Sequence, residues 1–573
     1  MTSNKVIELA EHISQRSLLE RLEPSMPPGE PIEQIHALLE RDDAAKHIPT
    51  LHPHSLYRLI KEGGWDQGME LVPYASPGQI QIFMDLDCWQ RDTLVPKNME
   101  TWLAVLIADT DDAHFKKVCR DLDAEILGIF FKSNLQVDLV VEGEIPDYME
   151  GNVRLSPDGT YALVYPEDED TAALMRALIE RMFELDRVLV WTLFEAVRWE
   201  LHSEMQESAY RWRTSRLEEF GFVGLDESLK VYAYLSPIQY RERIDRREFP
   251  SKSPIEASRH VDLPTVIAGQ IEEDFFFFKV LRGMASDKRL HSTLTELAAL
   301  NNRTLVADGV EPGELESGEE VVRRTVGYLS LGLEFLSRMD EERALELVDN
   351  LPLRDIFQVG FSLTRKLQSQ SYALTRRPTL SIVEGLSFSL LNPDDEALFE
   401  ALARPRPTFA WDQYEHDIFY TQEQLDSAAL RIGMVAFKQL WLFGVARQSL
   451  DTLAQLVYGG DLINEPVEVS FDVLFATALA TQLLTGEPEM RPLTSPELKS
   501  LPAILARRPW AEDPVGYFEP LVGPMLVELP QAVATLSGRW LNATLANMVD
   551  ELGQVQELEE PGFYTGLFLV GLS

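Results

Sequence analysis

His47, His52 and His54 place three imidazoles within eight residues, and Cys88 follows one repeat later, making this the only imidazole cluster in the chain. His-x-His spacing can bring two ring nitrogens to one metal ion, although a closed site needs further donors. Without them, His54 belongs to the capping turn of a helix and the others are surface residues. Asp85-Leu86-Asp87 and Asp121-Leu122-Asp123 each offer two carboxylates to magnesium or a phosphoryl group. Both are equally explained if the Leu turns inward and an Asp caps a helix start. Asp85, Asp87, His52 and His54 are therefore the candidate metal ligands, and no catalytic residue stands out.

The commonest chemistries are missing from the motif inventory. No glycine-rich phosphate loop, Gly-x-Ser-x-Gly elbow, His-Glu-x-x-His or Cys-x-x-Cys occurs, which removes the usual nucleotide, hydrolase, zinc-protease and redox readings and leaves no cofactor expected. An enzyme would have to build its site from scattered carboxylates such as Asp355, Glu384, Asp394 or Asp395. Tyr210-Arg211-Trp212-Arg213 with Arg216 mixes aromatic and cationic groups as single-strand binders do. Helical spacing and the acidity of the chain favour a snorkelling polar face on a core helix instead.

The elements that would position these residues repeat. Pro53, Leu56 and Trp65 recur as Pro77, Ile80 and Trp89 at an offset of 24, and Pro73 recurs as Pro96 at 23. Each copy reads as two short helices. Ser76 caps, Pro77 fits the first turn and Gln79 completes a capping box, while Asp87 is expected to cap the next helix and Pro96 to end it. Trp65 and Trp89 are expected as equivalent buried anchors. One such hairpin cannot bury its apolar face alone, so three or four should stack over about residues 30 to 132.

At these residues the stretch resembles the N-terminal cytosolic domain of a class of bacterial magnesium transporters, a superhelix of helical hairpins. The likeness spans the first quarter of the chain and carries over no metal ligand. The whole chain resembles an uncharacterised bacterial family of the domain-of-unknown-function kind. That resemblance lies in Tyr74-Ala75-Ser76-Pro77 with Asp85-Leu86-Asp87-Cys88-Trp89, in Asn302-Arg303-Thr304-Leu305-Val306-Ala307-Asp308-Gly309, and in Gly327-Tyr328-Leu329-Ser330-Leu331-Gly332-Leu333-Glu334. It implies no activity.

Composition narrows the classes further. A chain of 573 residues exceeds one compact core, and 45% apolar content is globular. The 52 Lys plus Arg against 93 Asp plus Glu leave a net charge of −41, a field that repels phosphate backbones and anionic lipid. Nucleic-acid partners are thereby disfavoured. Two cysteines, Cys88 and Cys119, suit a reducing compartment, and Met1 to Glu8 lacks a signal-peptide pattern, so a cytoplasmic home is expected. Val188 to Trp199, Val473 to Leu484 and Phe563 to Leu572 are too short to span a bilayer and read as buried core.

The fold class expected is mainly α. It comprises a helical-hairpin repeat domain over 1–133, a small antiparallel β insertion over 134–168 turning at Ser156-Pro157-Asp158-Gly159, a central helical region over 169–405 and a C-terminal helical region over 406–573. An amphipathic helix is expected over residues 5 to 21, and one long helical pair or kinked helix from Asp168 to Phe220. The function this architecture favours is a cytoplasmic scaffold or protein-interaction protein without catalytic activity, with another protein as partner and no membrane insertion. The rivals are a carboxylate enzyme and a divalent-cation sensor. No feature of the sequence names a small-molecule ligand.

Overall fold

The computed structural model describes Pro27 and residues 30–142, 144–250, 275–311, 313–376, 391–466, 469–528, 531–553 and 564–572. The helix expected over 5 to 21 and Glu384 lie outside the described residues. The chain divides into two compact units, Met1–Gly360 and Phe361–Ser573. Both are mainly α-helical, with a few short antiparallel strand pairs.

The first unit opens with α1 (Pro31–Leu39), α2 (Ala44–His47), α3 (Pro53–Glu62), α4 (Trp65–Gly68), α5 (Pro77–Asp87), α6 (Pro96–Ala108), α7 (Asp112–Asp121) and α8 (Ala124–Asn134). The start of α5 is the expected capping box: Ser76 Oγ accepts from the Gln79 amide at 3.3 Å while Gln79 Oε1 accepts from the Ser76 amide at 2.7 Å. Gln79 Nε2 also donates to the carbonyls of Ile48 and Leu51, at 3.0 and 2.7 Å, so one side chain both caps α5 and ties it to the preceding turn. Ile80, Phe83 and Leu86 then bury one face of the helix.

The two copies of the repeat are not equivalent. Trp65 begins α4 and remains 40% exposed, edge-on to Trp102 at 5.6 Å, whereas Trp89 is 4% exposed in a two-residue strand, β1 (Trp89–Gln90). That strand pairs with β2 (Thr93–Leu94) where a helix was expected. Asp87 ends α5 rather than capping a following helix. Pro96, expected to end a helix, starts α6, because its missing N–H leaves nothing unsatisfied in a first turn.

The change of period after Leu135 gives β3 (Gln136–Leu139), β4 (Asn152–Leu155) and β5 (Tyr161–Tyr165), ordered β3-β5-β4 and all antiparallel. Gly159 supplies the positive φ, +72°, that closes the β4–β5 turn. The helical pair or kinked helix expected from Asp168 is three helices: α9 (Glu169–Leu185), α10 (Arg187–Trp199) and α11 (His202–Glu219). Asp186 has φ −153°, which no helix accommodates, and its carboxylate caps α10 through the Leu189 amide at 3.3 Å. A single apolar core gathers side chains from Ile35 to Phe222 and takes in Leu305 and Val321. Within it α11 packs on α5 and α8, so this side of the helical array is filled rather than left as a groove.

The rest of the unit comprises α12 (Leu225–Leu229), α13 (Pro237–Asp245), α14 (Phe276–Arg282), α15 (Asp287–Asp308), α16 (Leu315–Ser337), α17 (Glu341–Asn350) and the start of α18 (Leu353–Thr375). A Cβ on Gly360 would fall 1.9 Å from the Tyr328 carbonyl oxygen, and one on Gly332 2.1 Å from that of Ile356. These glycines let α16 and α18 cross backbone against backbone.

The second unit adds α19 (Pro393–Ala403), β6 (Thr408–Ala410) paired with β7 (His416–Ile418), α20 (Gln422–Leu440), α21 (Leu450–Tyr458), α22 (Phe471–Thr485), α23 (Ser495–Arg507), α24 (Pro514–Tyr517), α25 (Glu519–Glu528) and α26 (Gln531–Gly553). Its core is aromatic: Trp441 lies 5.0 Å from Phe475, and Trp540 lies 4.2 Å from Phe475. Asn464 donates to the Phe568 carbonyl at 2.9 Å and accepts from the Val570 amide at 2.8 Å, pinning the apolar C-terminal stretch inside. Gln422–Val445, where α20 continues into a π turn, is long and apolar enough to span a bilayer by length and composition, a segment that sequence reading passes over. Leu425, Ala428, Ile432, Val435, Phe437 and Trp441 on it are buried in the unit.

Candidate functional site

The aspartates that look like metal ligands are held by protein donors. Asp85 is 0% exposed, and Arg216 of α11 grips both its oxygens, Nε to Oδ2 at 2.6 Å and Nη2 to Oδ1 at 2.9 Å. The third guanidinium nitrogen of Arg216 reaches Asp123 Oδ2 at 2.6 Å. Gln81 completes the connection, donating to Asp85 Oδ1 at 3.2 Å and accepting from the Asp123 amide at 2.9 Å. Burial pushes the Asp85 carboxyl above its ordinary range, against the pull of Arg216 and Arg213 towards the carboxylate. Asp87 accepts from Tyr57 Oη at 3.0 Å, Lys61 Nζ at 2.8 Å and Trp102 Nε1 at 2.9 Å. Neither Asp85 nor Asp87 caps a helix; both lie inside α5 and tie it to α3, α6 and α11.

Arg213, one turn before Arg216, is likewise turned inward rather than snorkelling. It is 5% exposed and donates to the carbonyls of Asp85 and Arg91, at 2.8 and 3.2 Å, and to Glu311 at 3.3 Å. A signal for this was in the sequence: Arg213 continues the buried stripe Met205, Ala209, Leu217 at four-residue spacing.

His52 and His54 stack at 5.4 Å, and His54 lies between Phe220 and Phe222 at 5.0 and 5.5 Å. Burial first, and His52 second, push the His54 imidazole down to about 3, so it is neutral at physiological pH. Cys88 and Cys119 are buried and free, with thiols pushed up by burial. Among the described residues no three His, Cys, Asp or Glu side chains converge as a metal site would need. The scattered carboxylates are also engaged: Asp355 accepts from Tyr240 Oη at 2.9 Å, Asp394 from the Gln413 amide at 3.3 Å, and Asp395 from Arg431 Nε at 3.1 Å.

The conspicuous surface lies elsewhere, on a helix expected as core. In α10, Val190, Leu193, Phe194 and Val197 are buried, but Val188 is 67%, Trp191 36% and Trp199 73% exposed on the opposite side. Val141, Ile145, Tyr148, Leu155 and Leu201 are exposed beside them in sequence. Eight of the twenty-four exposed large apolar side chains among the described residues thus fall between positions 141 and 201.

Shared carboxylates hold this face together. Trp191 Nε1 donates to Asp158 of the β4–β5 turn at 3.1 Å, and Trp199 Nε1 to Glu195 at 2.9 Å. Glu195 also accepts from Tyr161 Oη at 2.8 Å and from Arg198 at 2.9 Å, and Arg198 reaches on to Asp138 at 3.1 Å. Tyr148 of the β3–β4 loop donates to the same Asp138. Against its partial burial, these donors hold the Glu195 carboxyl below the ordinary range. The indole N–H groups are satisfied while their rings stay in solvent, so the tryptophans are fixed in orientation but not covered. Glu142, Glu144, Asp147 and Glu150 line the adjoining loop, exposed and with no ion pair among the described residues.

A family model described as "Family of unknown function (DUF6178)" matches residues 11–571. No curated protein and no solved structure matches the chain.

Proposed function

We propose that this chain, which belongs to the DUF6178 family of unknown function, is a helical protein-interaction protein that binds its partner through the exposed aromatic face of α10 and the neighbouring β sheet. The observation that carries the reading is the pair of oriented, uncovered indoles at Trp191 and Trp199. Rigid aromatic side chains bring large contact area at little entropic cost, and Trp, Tyr and Arg dominate the energetically important positions of interfaces. Buried, free Cys88 and Cys119 fit the cytoplasmic placement that accompanies this reading. A cation sensor and a carboxylate enzyme are less well supported, because Asp85, Asp87, Asp355 and Asp395 already have protein donors.

The test replaces Trp199 with a photo-crosslinking residue in the native host and compares it with the same residue at Tyr414, which is 83% exposed in the second unit. The expected result is a discrete adduct with one protein from position 199 and none from position 414. No adduct at 199, or the same adducts at both positions, overturns the proposal.

A further inference from the structure

We infer that the partner presents a basic amphipathic segment, its apolar side laid along Val188, Trp191 and Trp199 and its lysines or arginines turned towards the acidic loop between β3 and β4. This rests on the reading of the face as an interaction surface and adds the chemistry of what occupies it.

Charge decides the class of partner. Between residues 138 and 158 the chain carries Asp138, Glu142, Glu144, Asp147, Glu150 and Asp158 against Arg154 alone. Asp138 and Asp158 are used internally by Arg198, Tyr148 and Trp191. Glu142, Glu144, Asp147 and Glu150 are exposed and have no cationic partner among the described residues. Tyr148 lies in the same loop, and through Asp138 it is joined to Arg198 and so to the Trp199 end of α10. The loop that carries these carboxylates is thereby tied to the Trp199 end of the apolar stripe.

An acidic or phosphate-bearing partner would meet uncompensated like charge here, which costs affinity and slows encounter. A cationic one gains from the carboxylates, while the indole rings, which already carry Arg187 at 5.9 Å over Trp191 and Arg198 at 5.1 Å over Trp199, contribute apolar contact. The stripe has helical geometry, with Val188, Trp191 and Trp199 three, eight and eleven residues apart along one side of α10, which suits an elongated amphipathic element better than a compact knob.

The experiment uses the full chain and two labelled synthetic helical peptides sharing one leucine face, one with a lysine polar face and one with a glutamate polar face. Binding is read by fluorescence anisotropy near physiological salt. A chain of net charge −41 attracts any polycation diffusely, so the decisive variants leave charge untouched: Trp199→Ala, and Trp191→Ala with Trp199→Ala. The lysine peptide should bind, the glutamate peptide should not, and the double variant should weaken binding about tenfold or more. Glu142→Gln, Glu144→Gln, Asp147→Asn and Glu150→Gln together should weaken it and flatten its salt dependence. Lysine-peptide binding indifferent to the tryptophans, equal binding of both peptides, or tryptophan-dependent binding to zwitterionic lipid vesicles instead overturns the inference. A discrete protein adduct at position 199 whose contact segment is not basic would leave the interaction reading standing and remove this one.

Discussion

Arg216→Ala isolates the cost of the buried ionic cluster. The substitution removes both donors to a carboxylate that is 0% exposed and leaves it Gln81 Nε2 at 3.2 Å. Arg213 gives no substitute, since it donates to the Asp85 carbonyl and not to the carboxylate. Removing one partner of a buried pair costs about 3 to 5 kcal/mol, most of it the desolvation of the charge left behind. The lower end applies, because the Arg216 side chain is 23% exposed and water enters where it was. Asp85 titrates above its ordinary value through burial, and losing Arg216 raises it further. A carboxyl raised in the folded state binds protons more tightly there than when unfolded. The variant should therefore regain stability as pH falls from its raised folded value towards about 4, and lose it as pH rises through that window. Asp85→Asn in the Arg216→Ala background should restore much of the loss at neutral pH. With two compact units a global melting temperature does not isolate this cluster, so the assay is hydrogen exchange of peptides from residues 77–87 and 202–219 across pH. A loss below about 1 kcal/mol at pH 7, or no gain on acidification, would refute the reasoning.

Trp89→Ala should destabilise the first unit by about 3 kcal/mol or more in urea, as for a large core aromatic, while Trp65→Ala should cost about 1 kcal/mol because much of its ring already faces water. His54 is depressed to about 3, so the unfolded state binds the extra proton below pH 6.5, and stability should fall as pH drops from there towards 3. His54→Phe should remove that part of the acid sensitivity, read as the difference between urea midpoints at pH 7 and pH 5. Magnesium should raise the melting temperature gradually, with sodium at matched ionic strength reproducing most of the effect by screening. Saturation at micromolar magnesium, abolished by Asp85→Ala with Asp87→Ala, would contradict the donor assignments made for those carboxylates.

What was legible in the sequence is what local rules govern. Ser76, Pro77 and Gln79 announce a helix start because a capping box closes within four residues. Pro157 to Gly159 announces a turn because the backbone demands it. The symmetry of the repeat misled at Trp89, since a two-residue hairpin and a short helix span similar lengths of chain. The ion pairs were not legible, because Arg216 and Asp85 are 131 residues apart in sequence. Arg213 alone left a trace, as a cation in line with Met205, Ala209 and Leu217, and its meaning depends on a carboxylate that periodicity cannot locate.

The charged residues that resemble a site turn inward and hold the fold, while the apolar residues that resemble core turn outward on α10. The second inversion follows from helix geometry. Val190, Leu193, Phe194 and Val197 make one stripe, Val188, Trp191 and Trp199 another, and a helix apolar on both sides reads as buried throughout. What separates the two stripes is polar satisfaction. The inner residues carry no polar atoms, whereas each outer indole has an N–H that burial would have to pair. Trp199 finds Glu195 one turn back on its own helix, a spacing visible in the sequence, and Trp191 finds Asp158 across the β4–β5 turn, which only the fold brings near. Pairing to half-buried carboxylates fixes both rings at the surface, and that is the condition under which a tryptophan serves a partner instead of a core.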